Sequence, residues 1–219
     1  MSPVEPSAWS RAPGPAARLL APPLRAAEAL FRAGVAVRGA LYERGLLKVE
    51  RAGVPVVSIG NVAVGGAGKT PAAMAVASRL VARGRKVALL SRGYGATRGD
   101  SRVVSDGARV RIEAAEAGDE PALVALRLPG VLVLCGPRRA EIARTAVHGL
   151  GADALLLDDG FQHRSLARDL DVVVLDAADP FGNGRLLPAG PNREPRSALR
   201  RAGLLWLSRV DQAEPAALE

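Results

Sequence analysis

A chain of 219 residues is long enough to bury one sizeable core, and its 48% of hydrophobic residues exclude an intrinsically disordered protein. The formal net charge of +8 suits an anionic membrane or a phosphorylated ligand. Aromatic residues make up only 3% of the chain and do not cluster with basic ones, so nucleic acid is not an expected partner. The single cysteine, Cys135, lies in an apolar run, which predicts an inert core thiol in a reducing compartment.

The first predicted element is a helix from about Pro23 to Tyr42, after a loose lead-in over residues 1–16. At a period of 3.6 residues, apolar side chains from Leu20 to Val35 share one face, and arginines lie roughly opposite. Such a helix either packs on its own domain, which the pattern favours, or lies in a membrane interface. The sequence contains neither a secretory signal nor an apolar run long enough to span a bilayer.

The central motif runs from Pro55 to Thr70 and predicts a buried strand, a glycine-rich loop and the start of a helix. Glycines let backbone N–H groups turn inward, the helix N-terminus is electropositive, and a lysine adds charge for the β- and γ-phosphates. We therefore predict a nucleoside triphosphate site with Thr70 as a Mg²⁺ ligand; the alternative is a glycine-rich turn with a chance Lys-Thr. The usual first glycine is replaced here, so the loop resembles GGxGKT loops of a divergent P-loop branch. The expected nucleotide-binding residues are Ala63, Val64, Gly65, Gly66, Ala67, Gly68, Lys69 and Thr70.

Apolar runs and turn signals predict alternating helices and strands along the rest of the chain. We expect helices over 70–82, 118–128, 138–148 and 196–202, strands over 86–91, 131–135, 154–157, 171–176 and 204–207, a small hairpin over 102–112, and a Gly- and Pro-rich loop over 179–195. The strands are apolar throughout, which is typical of a parallel sheet covered on both faces. The predicted fold is α/β and P-loop NTPase-like, with a mostly parallel sheet, helices on both faces and an N-terminal amphipathic helix.

Two pairs of acids are candidates for the chemistry. Asp158 and Asp159 follow an apolar strand, where P-loop proteins place a carboxylate for Mg²⁺ or its bound water; capping of a following helix is the alternative. Asp119 and Glu120 begin another predicted helix, where acids also stabilise the helix dipole. A phosphoryl-transfer enzyme needs a carboxylate to orient or deprotonate the acceptor hydroxyl, and Asp119 is a candidate for that role.

Three further segments could hold an acceptor. One follows the second predicted strand, at an end where ligands gather in open parallel sheets. Another follows the acid pair closely enough to share its cleft, although an isolated histidine there is more often an ordinary hydrogen-bonding residue. The third is a rigid loop at 190–195 that ends in a charged pair. The expected substrate residues are Arg92, Gly93, Tyr94, Gln162, His163 and Arg193.

Five motifs follow the GGxGKT loop in order: SRGYG at 91–95, GDEP at 118–121, DDGFQHR at 158–164, FGNG at 181–184 and LPAGP at 187–191. Together they resemble the tetraacyldisaccharide 4'-kinase family, the lipid A 4'-kinases, from about Trp9 to Asp211. DDGFQHR is the most specific of these motifs.

The resemblance implies a kinase that transfers the γ-phosphate of ATP, with Mg²⁺, to the 4'-hydroxyl of a lipid A precursor, a tetraacylated glucosamine disaccharide 1-phosphate. It implies that Asp119 is the base and that the Asp158–Asp159 pair serves Mg²⁺ and the phosphates. We accordingly assign Asp119, Lys69 and Asp159 to catalysis, and Thr70, Asp158 and Glu120 to the metal.

The resemblance also implies a location at the cytoplasmic face of the bacterial inner membrane, with residues 1–50 as a membrane-associating helical segment and 51–219 as a P-loop kinase domain. We expect a monomer in peripheral contact with an anionic membrane. Two departures from the family stand out. Asn192 occupies a position where family members usually have leucine. A C-terminal portion, with a histidine thought to assist the base, is absent after Glu219, so the chain is either a fragment or truncated product, or compromised in activity.

The main alternative is a nucleotide-dependent switch or chaperone, an ATPase or GTPase that phosphorylates nothing. The stretch from Ser208 to Asp211 follows a late strand, as the guanine-reading [NT]KxD element does, but Arg209 replaces its lysine. An inactive nucleotide-binding remnant is the third interpretation.

Overall fold

The computed structural model describes residues 15–93, 101–112 and 114–213. Its strands are β1 (Val56–Gly60), β2 (Val87–Ser91), β3 (Arg102–Asp106), β4 (Leu132–Cys135), β5 (Ala154–Asp158), β6 (Leu170–Asp176) and β7 (Leu204–Ser208). They form one sheet in the order β3-β4-β2-β5-β1-β6-β7. The β1–β5, β2–β5 and β2–β4 pairs are parallel, whereas β3 runs antiparallel to β4. The predicted mostly parallel sheet is confirmed.

Within the described residues, five α-helices and three π- or 3₁₀-helical segments accompany the strands. The α-helices are α1 (Pro15–Glu43), α2 (Lys69–Val81), α3 (Ala114–Ala117), α4 (Asp119–Arg127) and α5 (Arg139–Arg144); the other segments are a π-helical turn at Thr145–Gly149 and 3₁₀ turns at Arg196–Arg201 and Val210–Gln212. Two predicted elements differ. The first helix begins about eight residues before its predicted start and contains Pro22 and Pro23 in its interior. The helix predicted over 196–202 is a 3₁₀ turn.

The hairpin predicted over 102–112 is only partly formed. Its first arm, β3, pairs with β4, and its second arm is reduced to an isolated bridge between Ser105 and Val110. Asp106 shapes the turn because its carboxylate accepts the backbone N–H groups of Ala108 and Arg109 at 3.0 and 2.7 Å. The side-chain acceptor stabilises the turn locally, so a second full strand is not required.

The chain divides into two compact units that interleave along the sequence. The first comprises residues 1–47, 61–68 and 173–219, and the second comprises 48–60 and 69–172. The second unit holds β1 to β5 with α2 to α5, and every residue of β2, β4 and β5 is buried. Strands buried on both faces explain the continuous apolar runs in the sequence.

The first unit contains both α1 and the P-loop residues 61–68. The division at residue 50 stays a prediction. The predicted apolar face of α1 is partly covered, with Leu24, Phe31 and Val35 half-buried. Leu30 and Val37, on another face, are 77% and 60% exposed. Among the described residues, none of the helices combines the length and hydropathy needed to cross a bilayer.

A buried acid on α1 is hydrogen-bonded to the 179–195 loop of the same unit. Glu28 is 5% exposed, and its carboxylate accepts the backbone N–H of Leu186 at 3.0 Å and guanidinium donors from Arg32 and Arg185 at 2.9 and 3.2 Å. Burial raises the pKa of Glu28, but these donors outweigh it, so the pKa lies below its ordinary value. The loop is also held internally, because the buried Asn192 side chain donates to the carbonyls of Phe181 and Arg185 at 2.9 and 2.8 Å.

Candidate active site

The paired acids of the DDG motif lie at the end of β5, in the second unit. Asp158 is the last residue of the strand and only 3% exposed, and Asp159 follows it with a positive φ of 51°. Gly160 comes next because there is no room for a side chain: a Cβ there would lie 2.5 Å from that of Leu157 and 2.8 Å from Ser58 Oγ. The backbone therefore makes a sharp turn at the carboxyl edge of the sheet and fixes both carboxylates there.

The first two residues of α2 meet these acids. Lys69 Nζ lies 3.7 Å from Asp159 Oδ1, and both side chains are largely buried. Thr70 Oγ1 donates a hydrogen bond to Asp158 Oδ2 at 3.3 Å. The predicted lysine, threonine and paired acids thus form one cluster, on the same side of the sheet.

Burial and neighbouring negative charge change the acidity of Asp158. Burial is the largest influence, and together with the charges of Glu120 and Asp159 it raises the pKa of Asp158 to about 6. The Thr70 hydrogen bond and the Lys69 charge act in the opposite direction. Desolvated carboxylates gathered in this way repel one another, and a bound cation would relieve that repulsion.

The oxygen atoms in the cluster suit a hard cation. Asp158 Oδ1 is buried without a hydrogen-bond partner among the described residues, and Oδ2 is already beside the Thr70 hydroxyl. No three His, Cys, Asp or Glu side chains in the described part of the chain come together as a complete metal cage. Mg²⁺ characteristically takes one or two protein carboxylates and completes its shell with phosphate oxygens and water. The residues present therefore fit Mg²⁺ bound together with a phosphate ligand.

The predicted base lies in the first turn of α4. Asp119 and Glu120 are both exposed there, after Gly118 with a φ of 89°. A Cβ on Gly93 would lie 3.3 Å from the carbonyl of Ala117, so this turn approaches the carboxyl end of β2. Glu120 is near enough to act electrostatically on Asp158, as its contribution to that pKa shows. The two predicted acid pairs thus belong to the same edge of the sheet.

The P-loop itself belongs to the first unit, and two of its amides are engaged within the chain. Val64 N–H donates to the carbonyl of Pro191 at 2.8 Å, and Ala67 N–H donates to that of Gly65 at 3.1 Å. Gly65 and Gly68 have φ values of 115° and 80°, which only glycine adopts readily, and Gly68 leads directly into the start of α2. Of the predicted nucleotide-binding residues, Val64 and Ala67 therefore do not offer their amides in this conformation.

Two side chains that the sequence did not assign to the P-loop contact its outer surface. Ser208 Oγ donates to the carbonyl of Ala67 at 2.8 Å, and Arg209 Nη2 donates to that of Gly66 at 2.6 Å. Their position after the last strand was the only available signal. That position resembles a base-reading element and does not by itself indicate a contact with the P-loop.

The predicted substrate residues occupy several loops. Arg92 and Gly93 follow β2, with Arg92 exposed, and Tyr94 lies outside the described residues. Gln162 and His163 are half-buried after β5, and a 3.0 Å hydrogen bond joins His163 Nε2 to Ser165 Oγ. Arg193, in the first unit, donates its backbone N–H to the carbonyl of Val62 at 2.7 Å. The loops after β2 and β5 are neighbours because these two strands pair in parallel.

Comparisons with known proteins show which family this chain resembles. A family model described as tetraacyldisaccharide-1-P 4'-kinase (LpxK) matches residues 20–219. A tetraacyldisaccharide 4'-kinase from Anaeromyxobacter sp. (strain Fw109-5) is 74% identical over the whole chain and 59% of its own length. One from Geobacter sulfurreducens is 47% identical over 90% of the chain and 56% of its own length.

A crystal structure of the "apo" form of LpxK from Aquifex aeolicus in complex with ATP superposes with a TM-score of 0.81 at 38% identity, covering 90% of this chain and 61% of the other. The present chain thus spans a little under 60% of the length of the two curated relatives named above. The family model covers nearly all of it, and the order of motifs agrees with the match. The chain belongs to the tetraacyldisaccharide-1-P 4'-kinase family.

Proposed function

We propose that this chain carries the nucleotide-binding and catalytic part of an ATP-dependent lipid A 4'-kinase, which phosphorylates the 4'-hydroxyl of a tetraacyldisaccharide 1-phosphate. The observation that carries the proposal is the cluster of Lys69 with Asp159 and Thr70 with Asp158 at one sheet edge. A lysine after a glycine-rich loop and an acid after a neighbouring strand are the parts that P-loop enzymes use for a triphosphate and its metal.

Within this proposal each residue has a distinct task. Lys69 neutralises charge on the β- and γ-phosphates, and its neighbour Asp159 keeps the ammonium group in place. Thr70 and Asp158 would hold Mg²⁺, with Glu120 nearby. When bound, Mg²⁺ supplies charge stabilisation for the transferring phosphoryl group.

The acceptor side of the reaction requires a base and a binding surface. Asp119 is exposed at the start of α4, so it is accessible to the sugar hydroxyl whose proton it would accept. Arg92 and His163 are the candidates for holding the phosphorylated disaccharide, since guanidinium and imidazole groups bind phosphate by charge-assisted hydrogen bonds. Arg193, in the first unit, is a separate candidate for a phosphate contact. We propose that the chain acts as a monomer.

A lipid acceptor makes membrane contact part of the proposal. We propose that α1 lies at the cytoplasmic face of the inner membrane, peripherally, with an apolar surface around Leu30 and Val37 toward the lipid. The exposed Arg25 and Arg32, on another face of the same helix, suit anionic headgroups.

Transfer of labelled γ-phosphate from ATP tests the proposal. With Mg²⁺ and a tetraacyldisaccharide 1-phosphate in mixed micelles, label should appear on the acceptor. Lys69→Ala should weaken ATP binding by about tenfold or more, and Asp119→Asn should slow transfer about a hundredfold while ATP binding is retained. Lys86→Ala, which removes an exposed lysine from the same unit, is the matched control. Release of free phosphate with no labelled acceptor would instead favour a nucleotide-dependent switch.

A further inference from the structure

The end of β7 and the residue after it have no role in the function proposed above, yet their side chains share one target. Ser208 Oγ and Arg209 Nη2 donate to the consecutive carbonyls of Ala67 and Gly66 at 2.8 and 2.6 Å. We propose that Ser208 and Arg209 are positioning residues that hold the P-loop in its phosphate-binding conformation. The inference rests on the proposed nucleotide site and extends it to residues far away in sequence.

The geometry of the peptide bond explains how hydrogen bonds to the loop carbonyls determine the direction of the loop N–H groups. The C=O and N–H of a trans peptide point in opposite directions. Because the carbonyls of Gly66 and Ala67 are held by Arg209 and Ser208, the N–H groups of Ala67 and Gly68 are directed away from those two side chains. Ala67 N–H is held by the carbonyl of Gly65, so Gly68 N–H is the amide that this arrangement directs toward an anion.

Both side chains are themselves fixed by residues at the end of β6. Arg209 Nη1 lies 2.5 Å from Asp176 Oδ2, and Ser208 Oγ lies 3.2 Å from the carbonyl of Leu175. Arg209 also has a left-handed backbone, with a φ of 53°, which is uncommon for a residue with a long side chain. Its positive charge is paired with Asp176, so Arg209 acts on the loop through the Gly66 carbonyl and not as a phosphate ligand.

Hydrogen bonds that order a loop before a ligand binds have the largest effect when the loop is rich in glycine, and this loop contains three glycines. Glycine loses more conformational freedom on ordering than any other residue, so an unsupported loop would order only when a ligand binds and would bind it more weakly. Support supplied in advance by Ser208 and Arg209 therefore raises the affinity for any ligand that the loop amides hold. The affinity for phosphate groups should therefore rise by the same factor whether or not the ligand carries a nucleoside.

Direct binding measurements with ATP and with inorganic tripolyphosphate test the inference. Each of the variants Arg209→Ala, Ser208→Ala and Asp176→Asn should lower the affinity for both ligands by about threefold to tenfold. The factor should be the same for ATP and for tripolyphosphate. Asp176→Asn should add nothing in the Arg209→Ala background, because Asp176 acts through that arginine. Arg200→Ala removes an exposed arginine of the same unit and should leave both affinities unchanged.

Each outcome decides the matter. The inference would be overturned if Arg209→Ala bound both ligands with wild-type affinity. It would also be overturned if the variant bound ATP more weakly but tripolyphosphate as tightly as the wild type, because that result indicates a contact with the nucleoside. Should Arg209→Ala fail to fold, Ser208→Ala and Asp176→Asn carry the same test. A wild-type chain that binds both polyphosphates, weakens as expected in the variants and labels no acceptor would support the inference and contradict the kinase proposal. A wild-type chain that binds neither would overturn both.

Discussion

Asp158 is the residue whose environment departs most clearly from that of an ordinary surface acid. It is buried beside Glu120 and Asp159, with only the Thr70 hydroxyl and the Lys69 charge to favour its ionised form. A buried carboxylate is costly unless a partner stabilises it, so the arrangement sacrifices stability for the ability to bind a cation.

This cost predicts a specific dependence of stability on pH. The pKa of Asp158 is about 6 in the folded chain and ordinarily 3.8, so between these values the folded state binds the extra proton. Stability from this group therefore rises as the pH falls from 7 to 5, by about 1 kcal/mol of an eventual total near 3 kcal/mol. Urea unfolding without Mg²⁺ should show this gain in the wild type and not in Asp158→Asn, which should also be the more stable of the two at pH 7. Identical pH profiles would contradict the raised pKa.

At this scale the sequence predicted which residues meet but not how the backbone brings them together. Acids after an apolar strand identified Asp158 and Asp159 because strand ends share one edge of a parallel sheet. The lack of space at Gly160 depends partly on Ser58, which lies on β1 and is distant in sequence. Asn192 stands where family members usually have leucine, and the sequence does not indicate what the amide does. The structure shows its buried amide bridging two loop carbonyls, which leucine could not do.

Among the elements, α1 combines a partly covered face with an exposed apolar one. The periodicity identified the half-buried face correctly but missed the exposed side chains around Leu30 and Val37, because alanines separate them. Proline favours the first turn of a helix, so the sequence predicts a start near Pro23, whereas α1 begins at Pro15 and has Pro23 in its interior.

The exposed face of α1 predicts binding to lipid vesicles. Leu30→Ser with Val37→Ser removes two exposed apolar side chains and should weaken binding to anionic vesicles by about tenfold or more, because each buried aliphatic side chain contributes on the order of 1.5–3 kcal/mol. Leu126→Ser is the matched control, since Leu126 is 71% exposed on α4. Vesicle flotation that is unchanged in the double variant, or equally reduced in the control, would return α1 to a purely structural role.

A buried acid, Glu28, connects α1 to the 179–195 loop. Glu28→Gln replaces a carboxylate that accepts three hydrogen bonds and should destabilise the chain by about 2 kcal/mol at pH 7. The folded pKa of Glu28 is lowered, so its contribution is present above the ordinary value of 4.5 and is lost as the pH falls through the folded pKa. Urea unfolding of Glu28→Gln against Glu43→Gln, an exposed acid on the same helix, measures the difference. Equal stabilities would show that the acid is dispensable.

At the scale of the whole molecule, the alternation of apolar strands and helices predicted the fold, and the order of the motifs predicted the family. Two of these motifs, SRGYG and DDGFQHR, begin at the ends of the parallel strands β2 and β5. The interleaving of the two units could not be predicted. It arises from contacts such as Val64 with Pro191 and Gly66 with Arg209, which join residues more than a hundred positions apart. No local pattern encodes pairings of that range.

The central claim is that the paired acids and the P-loop lysine together hold a metal-bound triphosphate. The most direct measurement is the affinity for ATP with and without Mg²⁺, by calorimetry at pH 7.5. We predict that Mg²⁺ strengthens ATP binding to the wild type by about tenfold or more and leaves the affinity of Asp158→Asn nearly unchanged. Full retention of the Mg²⁺ effect in Asp158→Asn would contradict the account.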